Sequence, residues 1–169
     1  MVPSGDLISV TSHCLADTEE IGSLISDLVV AGDVIELRGE LGVGKTAFAR
    51  GFARGLARGL GIDVNVASPT FLISRRYVGR LTLLHCDLYR LSGRFEVEML
   101  GIDEEIEDGA VALLEWGEIA EGSLGSDGLV VRLHRSGISE DEREISFELG
   151  QDWAPRRSEL ATVADRWSW

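Results

Sequence analysis

Lys45 is the only lysine in the 169 residues of this chain, which otherwise draws its cationic side chains from fifteen arginines. It stands in Gly39-Glu40-Leu41-Gly42-Val43-Gly44-Lys45-Thr46, which satisfies G-x-x-x-x-G-K-[ST] at every specified position. The chemistry of that pattern is polyphosphate binding. A lysine ammonium is a compact point charge on a flexible stem and can lie across a phosphate chain, where the broad guanidinium fork fits poorly. Gly39, Gly42 and Gly44 give the backbone the freedom to wrap an anion. Lys45 is then expected on the β- and γ-phosphates and the Thr46 hydroxyl on Mg²⁺. Glu40, Leu41, Val43 and Ala47 complete the nucleotide-binding segment.

A magnesium nucleotide also needs carboxylates, normally at the carboxyl ends of neighbouring buried strands. Asp87 follows Leu83-Leu84-His85-Cys86, and Glu115 follows Val111-Ala112-Leu113-Leu114. Each apolar run ending in an acid places the acid where open α/β sheets bind ligands. Asp87 is expected on the metal. Glu115 either ligates it through water or positions the attacking water. His85 reads as a packed, hydrogen-bonded histidine rather than a catalytic one. Arg90 is open to pairing with a phosphate or with an acidic neighbour. Trp116, taken alone, reads as core.

Secondary-structure elements of the right kind surround these residues. Val34-Ile35-Glu36-Leu37 is a β-favouring run introduced by Gly32-Asp33, and Ala47, Phe48, Ala49 and Phe52 open a helical pattern. Strand, glycine loop and helix is the order that aims backbone N–H groups and a helix dipole at an anion. Upstream, Leu7–Thr11 reads as a strand. Asp17-Thr18-Glu19-Glu20 reads as a capping box, with Asp17 as N-cap, before the apolar stripe Ile21, Leu24, Ile25 and Leu28. The unit Ala-Arg-Gly-(Phe/Leu) occurs three times over residues 49–60, predicting one helical face of Phe48, Phe52, Leu56 and Leu60. Phe71–Val78 and Leu81–Cys86 suggest a hairpin across Gly79-Arg80. Residues 94–108 read as acidic helices broken at Gly101, Val111–Leu114 as a buried strand, and Gly128–His134 with Arg143–Leu149 as a closing pair. The expected organisation is one ATPase domain over residues 1–150 and a tail over 151–169 with a short helix at 157–166.

Composition narrows the class. A hydrophobic content of 44% in a chain of this length suits one globular domain. The sequence offers neither a membrane-spanning apolar run nor a signal peptide, so the expectation is a cytoplasmic protein with no membrane association. Cys14 and Cys86 form no metal-binding or redox spacing. The net charge of −13 is unevenly spread. Residues 38–94 carry ten Lys/Arg against Glu40, Asp63 and Asp87, whereas residues 95–127 carry eleven Asp/Glu and no Lys/Arg. Nucleotide accounts for part of the first block. The second disfavours broad nucleic-acid binding and suits a protein partner with a basic surface.

Guanine is read by Asn-Lys-x-Asp, which a chain with one committed lysine cannot contain, so ATP is favoured. A small metabolite kinase is the alternative enzyme, and a noncatalytic nucleotide-dependent adaptor the alternative outside catalysis. A kinase usually needs an arginine-bearing lid, and the only candidate segment, Arg75 to Arg80, reads as a hairpin.

Four motifs occur together in order: the loop within Arg38–Thr46, Ser68-Pro69-Thr70, His85-Cys86-Asp87-Leu88-Tyr89-Arg90-Leu91, and Leu114-Glu115-Trp116. Over roughly residues 6–135 the chain resembles the TsaE (YjeE) family of bacterial tRNA threonylcarbamoyladenosine biosynthesis. The resemblance implies a three-layer α/β/α P-loop NTPase fold with a mostly parallel central sheet and an antiparallel hairpin. It also implies a weak, Mg²⁺-dependent ATPase working with the TsaD and TsaB proteins, and through them with tRNA. Those partners transfer the threonylcarbamoyl group to adenosine 37, and the ATP cycle supports their turnover. By position, Lys45 and Thr46 hold phosphate and Mg²⁺, and Asp87 and Glu115 complete the metal and hydrolysis site. Thr70 senses the γ-phosphate, Trp116 serves activity or docking, and Thr11 or Ser12 lies near adenine. Two departures stand out. Glu40 replaces a common aspartate, and the repeat has one unit more than is usual, which predicts a longer helix after the loop.

Overall fold

The computed structural model describes residues 7–61, 64–66, 73–120, 124 and 127–167. Ser68, Pro69 and Thr70 lie outside the described residues, as do Phe71 and Leu72 of the expected hairpin. Seven strands form one sheet: β1 (Leu7–Ser12), β2 (Val34–Arg38), β3 (Ser74–Tyr77), β4 (Leu83–Asp87), β5 (Val111–Glu115), β6 (Leu129–Arg135) and β7 (Arg143–Leu149). Their order is β1-β7-β6-β2-β5-β4-β3. β2 pairs in parallel with β5 and β6, and β5 in parallel with β4, while β3 and β7 run opposite to the other five. β3–β4 is the expected hairpin across Gly79-Arg80, with Tyr77 opposite Leu83.

Strand alternation divides the core into two layers, as period-two side-chain geometry requires. Ile35 and Leu37 of β2 and Val111 and Leu113 of β5 face α1 (Leu15–Ser26), α2 (Lys45–Leu56) and α5 (Arg157–Asp165). Val34, Ala112 and Leu114 face the opposite layer, with Val97 of α3 (Arg94–Glu98) and Ile102 of α4 (Ile102–Glu107). The same alternation carried one residue further turns His85, Asp87 and Glu115 toward the α2 side.

Two local expectations are corrected. Asp17 is not the N-cap of α1; that position belongs to Cys14, and Asp17 sits in the first turn. Its Oδ2 accepts a 2.8 Å hydrogen bond from the His13 N–H. A carboxylate reaching back from the third helical position still serves an exposed donor at the helix start, and the cap lies three residues before Asp17.

The Ala-Arg-Gly repeat does not lengthen α2 through all three units, since the helix ends at Leu56 and Leu60 is 49% exposed. The Leu56 carbonyl accepts instead from the Arg80 N–H of the β3–β4 turn at 2.8 Å. Gly59 and Gly61 then adopt φ of +79° and +67°, the left-handed region that ends helices. Gly51 and Gly55 of the repeat face α1 rather than the sheet. A Cβ on Gly51 would lie 1.8 Å from the Glu19 carbonyl oxygen, and one on Gly55 2.0 Å from Ser26 Oγ. The repeat's arginines bind the acids of α1: Arg50 and Arg54 pair with Glu19, and Arg58 with Asp27.

The segment after Gly150 belongs to the same core. Trp153 and Leu160 are fully buried against the α1–α2 side of the sheet. Arg156 binds Asp33 through both terminal nitrogens, donates to the Leu28 carbonyl at 3.0 Å, and stacks 4.0 Å from the Trp153 ring centroid.

Candidate nucleotide site

The glycine loop joins the carboxyl end of β2 to the first turn of α2. At Gly39, φ is +153° and a Cβ would lie 2.6 Å from the Leu133 carbonyl oxygen, so only glycine passes β6 at this distance. Arg143 of β7 donates from Nε to the Val43 carbonyl at 2.6 Å, and Arg135 of β6 pairs with Glu40 at 3.1 Å. The loop is therefore held from strands almost a hundred residues away in sequence. Gly44 is the N-cap, which places Lys45, Thr46 and Ala47 in the first turn of α2, where backbone N–H groups have no intrahelical acceptor.

Lys45 is 5% exposed. Its Nζ donates to the carbonyls of Gly39 and Glu40 at 2.7 and 2.9 Å and lies 4.9 Å from the Trp116 ring centroid. Burial lowers its pKa, opposed by the negative charges of Glu115, Asp87, Glu118 and Glu40. Asp87 and Glu115 are register partners at the ends of β4 and β5. Burial raises the pKa of the half-buried Asp87, and the Glu115 charge adds to this; the Tyr89 N–H, His85 and Lys45 act in the other direction.

A cavity of about 290 Å³ brings these groups together, lined by Gly42, Lys45, Thr46, Asp87, Glu115 and Trp116 among others. The donor set fits a magnesium polyphosphate. A hydroxyl and two carboxylates are hard oxygen ligands. The one buried ammonium stands beside helix-start amides that favour anions.

Trp116 is not simply core. It is the one non-glycine residue with positive φ, +61°, among those described, and its half-buried ring contacts both Lys45 and Tyr89, at 4.9 Å between ring centroids for the latter. Tyr89 is 63% exposed and Arg90 is exposed, and neither is among the residues that line the cavity. Thr11 lies elsewhere, in a second hollow between β1 and β7 with Glu144 and Trp167. Ser12 is buried and bonded to Thr18 and the Cys14 carbonyl. His85 is packed and hydrogen-bonded, and its partner is the Glu115 carboxylate at 3.1 Å. Sequence reasoning missed Arg135, Arg143 and the cavity-lining Leu15 and Arg50. Arg50 sits one turn beyond the loop and was visible as part of the repeat. The other three carried no local signal.

Comparison with known proteins agrees with this geometry. The family profile described as threonylcarbamoyl adenosine biosynthesis protein TsaE matches residues 12–145. The chain is 42% identical over 132 residues to the tRNA threonylcarbamoyladenosine biosynthesis protein TsaE of Bacillus subtilis, with 78% of each covered. It is 41% identical to the TsaE protein of Streptomyces coelicolor, covering 80% of this chain and 93% of that one. The crystal structure of Bacillus subtilis YdiB superposes with a TM-score of 0.74 at 33% identity, covering 95% of both chains. The match spans both the glycine loop and the two strand-end carboxylates, and by it the chain belongs to the TsaE family of tRNA threonylcarbamoyladenosine biosynthesis.

Proposed function

We propose that this chain is a Mg²⁺-dependent ATPase whose cycle supports TsaD and TsaB in forming threonylcarbamoyladenosine at position 37 of tRNA. The observation that carries the reading is the convergence of Lys45, Thr46, Asp87 and Glu115 on one cavity. Lys45 and the first-turn amides of α2 bind the phosphate chain. Thr46, Asp87 and Glu115 are the residues that would hold Mg²⁺, whose chemistry is to neutralise charge on the β- and γ-oxygens. In hydrolysis the oxygen of water attacks the γ-phosphorus, the bond to the bridging oxygen breaks, and ADP leaves with that electron pair. Glu115 orients the water, and Lys45 stabilises charge on the transferred group. The absence of a second lysine for guanine recognition supports ATP.

The test is a reconstituted tRNA modification reaction with TsaD and TsaB, followed together with ATP hydrolysis. Slow hydrolysis by the chain alone, stimulation by the partners, and loss of both hydrolysis and modification in Lys45→Ala are expected. Full modification with a folded Lys45→Ala protein would sink the reading. Phosphorylation of a small acceptor faster than ATP hydrolysis would favour a kinase instead. Modification that survives Glu115→Ala with hydrolysis abolished would favour the adaptor.

A further inference from the structure

From the buried contact between β4 and β5, we infer that His85 is a positioning residue for Glu115: its Nε2–H fixes Oε1, so that the carboxylate presents its other oxygen to the cavity. This inference rests on the ATPase reading and adds a residue to it.

His85 is fully buried, and the Glu115 side chain is 5% exposed. Their strands are parallel neighbours, with His85 beside Leu113 and Asp87 beside Glu115. The imidazole therefore reaches Glu115 diagonally, on the sheet face that carries α2. The contact is Nε2 to Oε1 at 3.1 Å. His85 Nδ1 is buried and has no hydrogen-bond partner among the described residues. An ionised carboxylate only accepts, so the nitrogen facing it has to carry the proton. A proton at Nε2 satisfies that N–H on Glu115 and leaves Nδ1 as the buried ring atom without a partner among the described residues.

Packing does not require this arrangement. An aliphatic side chain could occupy this buried position beside Leu113 without a ring nitrogen left unpaired among the described residues, a cost that native interiors usually avoid. The exchange makes sense if the position of Glu115 matters. A glutamate has three side-chain torsions, and one bond to a buried ring removes most of that freedom. Asp87, two residues beyond His85, has no such tether among the described residues; its side chain accepts from the Tyr89 N–H at 3.1 Å. The two acids of the cavity are thus held differently, one from inside the sheet and one from the loop that follows.

The experiment compares wild type, His85→Leu and His85→Gln as full-length chains with TsaD and TsaB present. It measures single-turnover ATP hydrolysis at saturating ATP and, separately, equilibrium ATP affinity. Leucine keeps bulk without a donor; glutamine puts an N–H near the Nε2 position. His85→Leu should lose roughly tenfold to a hundredfold in the hydrolysis rate, as outer partners of catalytic groups do. ATP affinity should stay within about threefold, and glutamine should restore most of the rate. An unchanged rate in His85→Leu, or equal losses in both variants, would overturn the proposal and leave the ring a packing element. If wild type binds ATP but never hydrolyses it, the ATPase reading itself fails and the inference falls with it. Nitrogen-15 NMR of wild-type protein labelled at histidine gives a second readout that needs no variant to fold. Protonated Nε2 and unprotonated Nδ1 are expected for His85, and the reverse tautomer would refute the bond as drawn.

Discussion

At the scale of single residues, the site is a set of charges that the fold pays for and a ligand relieves. On the proposed ATPase reading, removing the Lys45 ammonium would delete both a phosphate donor and a transition-state charge, so Lys45→Ala should lower the hydrolysis rate by about 10²–10³. Stopped-flow or isotopic assays with matched protein concentrations read this directly. Asp87 adds a pH signature. Its folded pKa is raised, chiefly by burial, so the folded state holds the proton more tightly than the unfolded chain. Stability therefore falls as pH rises from the ordinary carboxylate range through the folded pKa, and the full penalty is present above it. Asp87→Asn should raise the thermal midpoint at pH values above the folded pKa and, on the proposed ATPase reading, abolish hydrolysis, and the stability gain should shrink as the pH is lowered toward the ordinary carboxylate range. Calorimetry across pH checks the sign. Lys45, Thr46, Asp87 and Glu115 were legible because each sits at a fixed offset from a strand end or a glycine loop. The partners Arg135 and Arg143 were not, because their contacts depend on how β6 and β7 close the sheet, which no local pattern encodes.

At the scale of elements, the pairing of α1 with α2 sets where the glycine loop's helix begins. Gly51 looks expendable from helix propensity, which favours alanine by about 0.8–1 kcal/mol in a helix interior. The structure reverses that sign, because its Cβ would penetrate the Glu19 backbone. Gly51→Ala should therefore destabilise the protein by about 1–3 kcal/mol net, the usual scale of overpacking. Urea unfolding at constant m-value measures it. The strands, the hairpin and the helix break at Gly101 were readable from alternation and turn residues. The end of α2 was not, since three copies of one unit look helical throughout and only the Arg80 turn, folded back from β3 and β4, stops the helix after Leu56. The purpose of the glycine row was likewise hidden, because periodicity shows which residues share a face but not which element that face meets.

At the scale of the whole molecule, the chain closes on itself through its last described helix. Arg156 ties that segment to Asp33, just before β2, through a nearly buried ion pair with side-chain exposures of 17% and 6%. Leaving Asp33 without its partner should cost about 3 kcal/mol, so Arg156→Ala should shift the urea midpoint well down without touching the nucleotide cavity. A variant that unfolds at the wild-type midpoint would show the pair to be dispensable. Little of this is legible beforehand, because a Trp- and Arg-containing segment after Gly150 has no periodicity strong enough to assign it to a core. At the far side of the sheet, β3 spans four of the described residues, with exposed arginines at 75 and 76, and Arg76 pairs with Glu105 of α4. A border this short, charged and partly anchored gives an incoming strand few backbone groups to bind. Copies of this protein should not grow into fibrils from that border, and any assembly on that side has to be built from side-chain recognition rather than from continued hydrogen-bonded sheet.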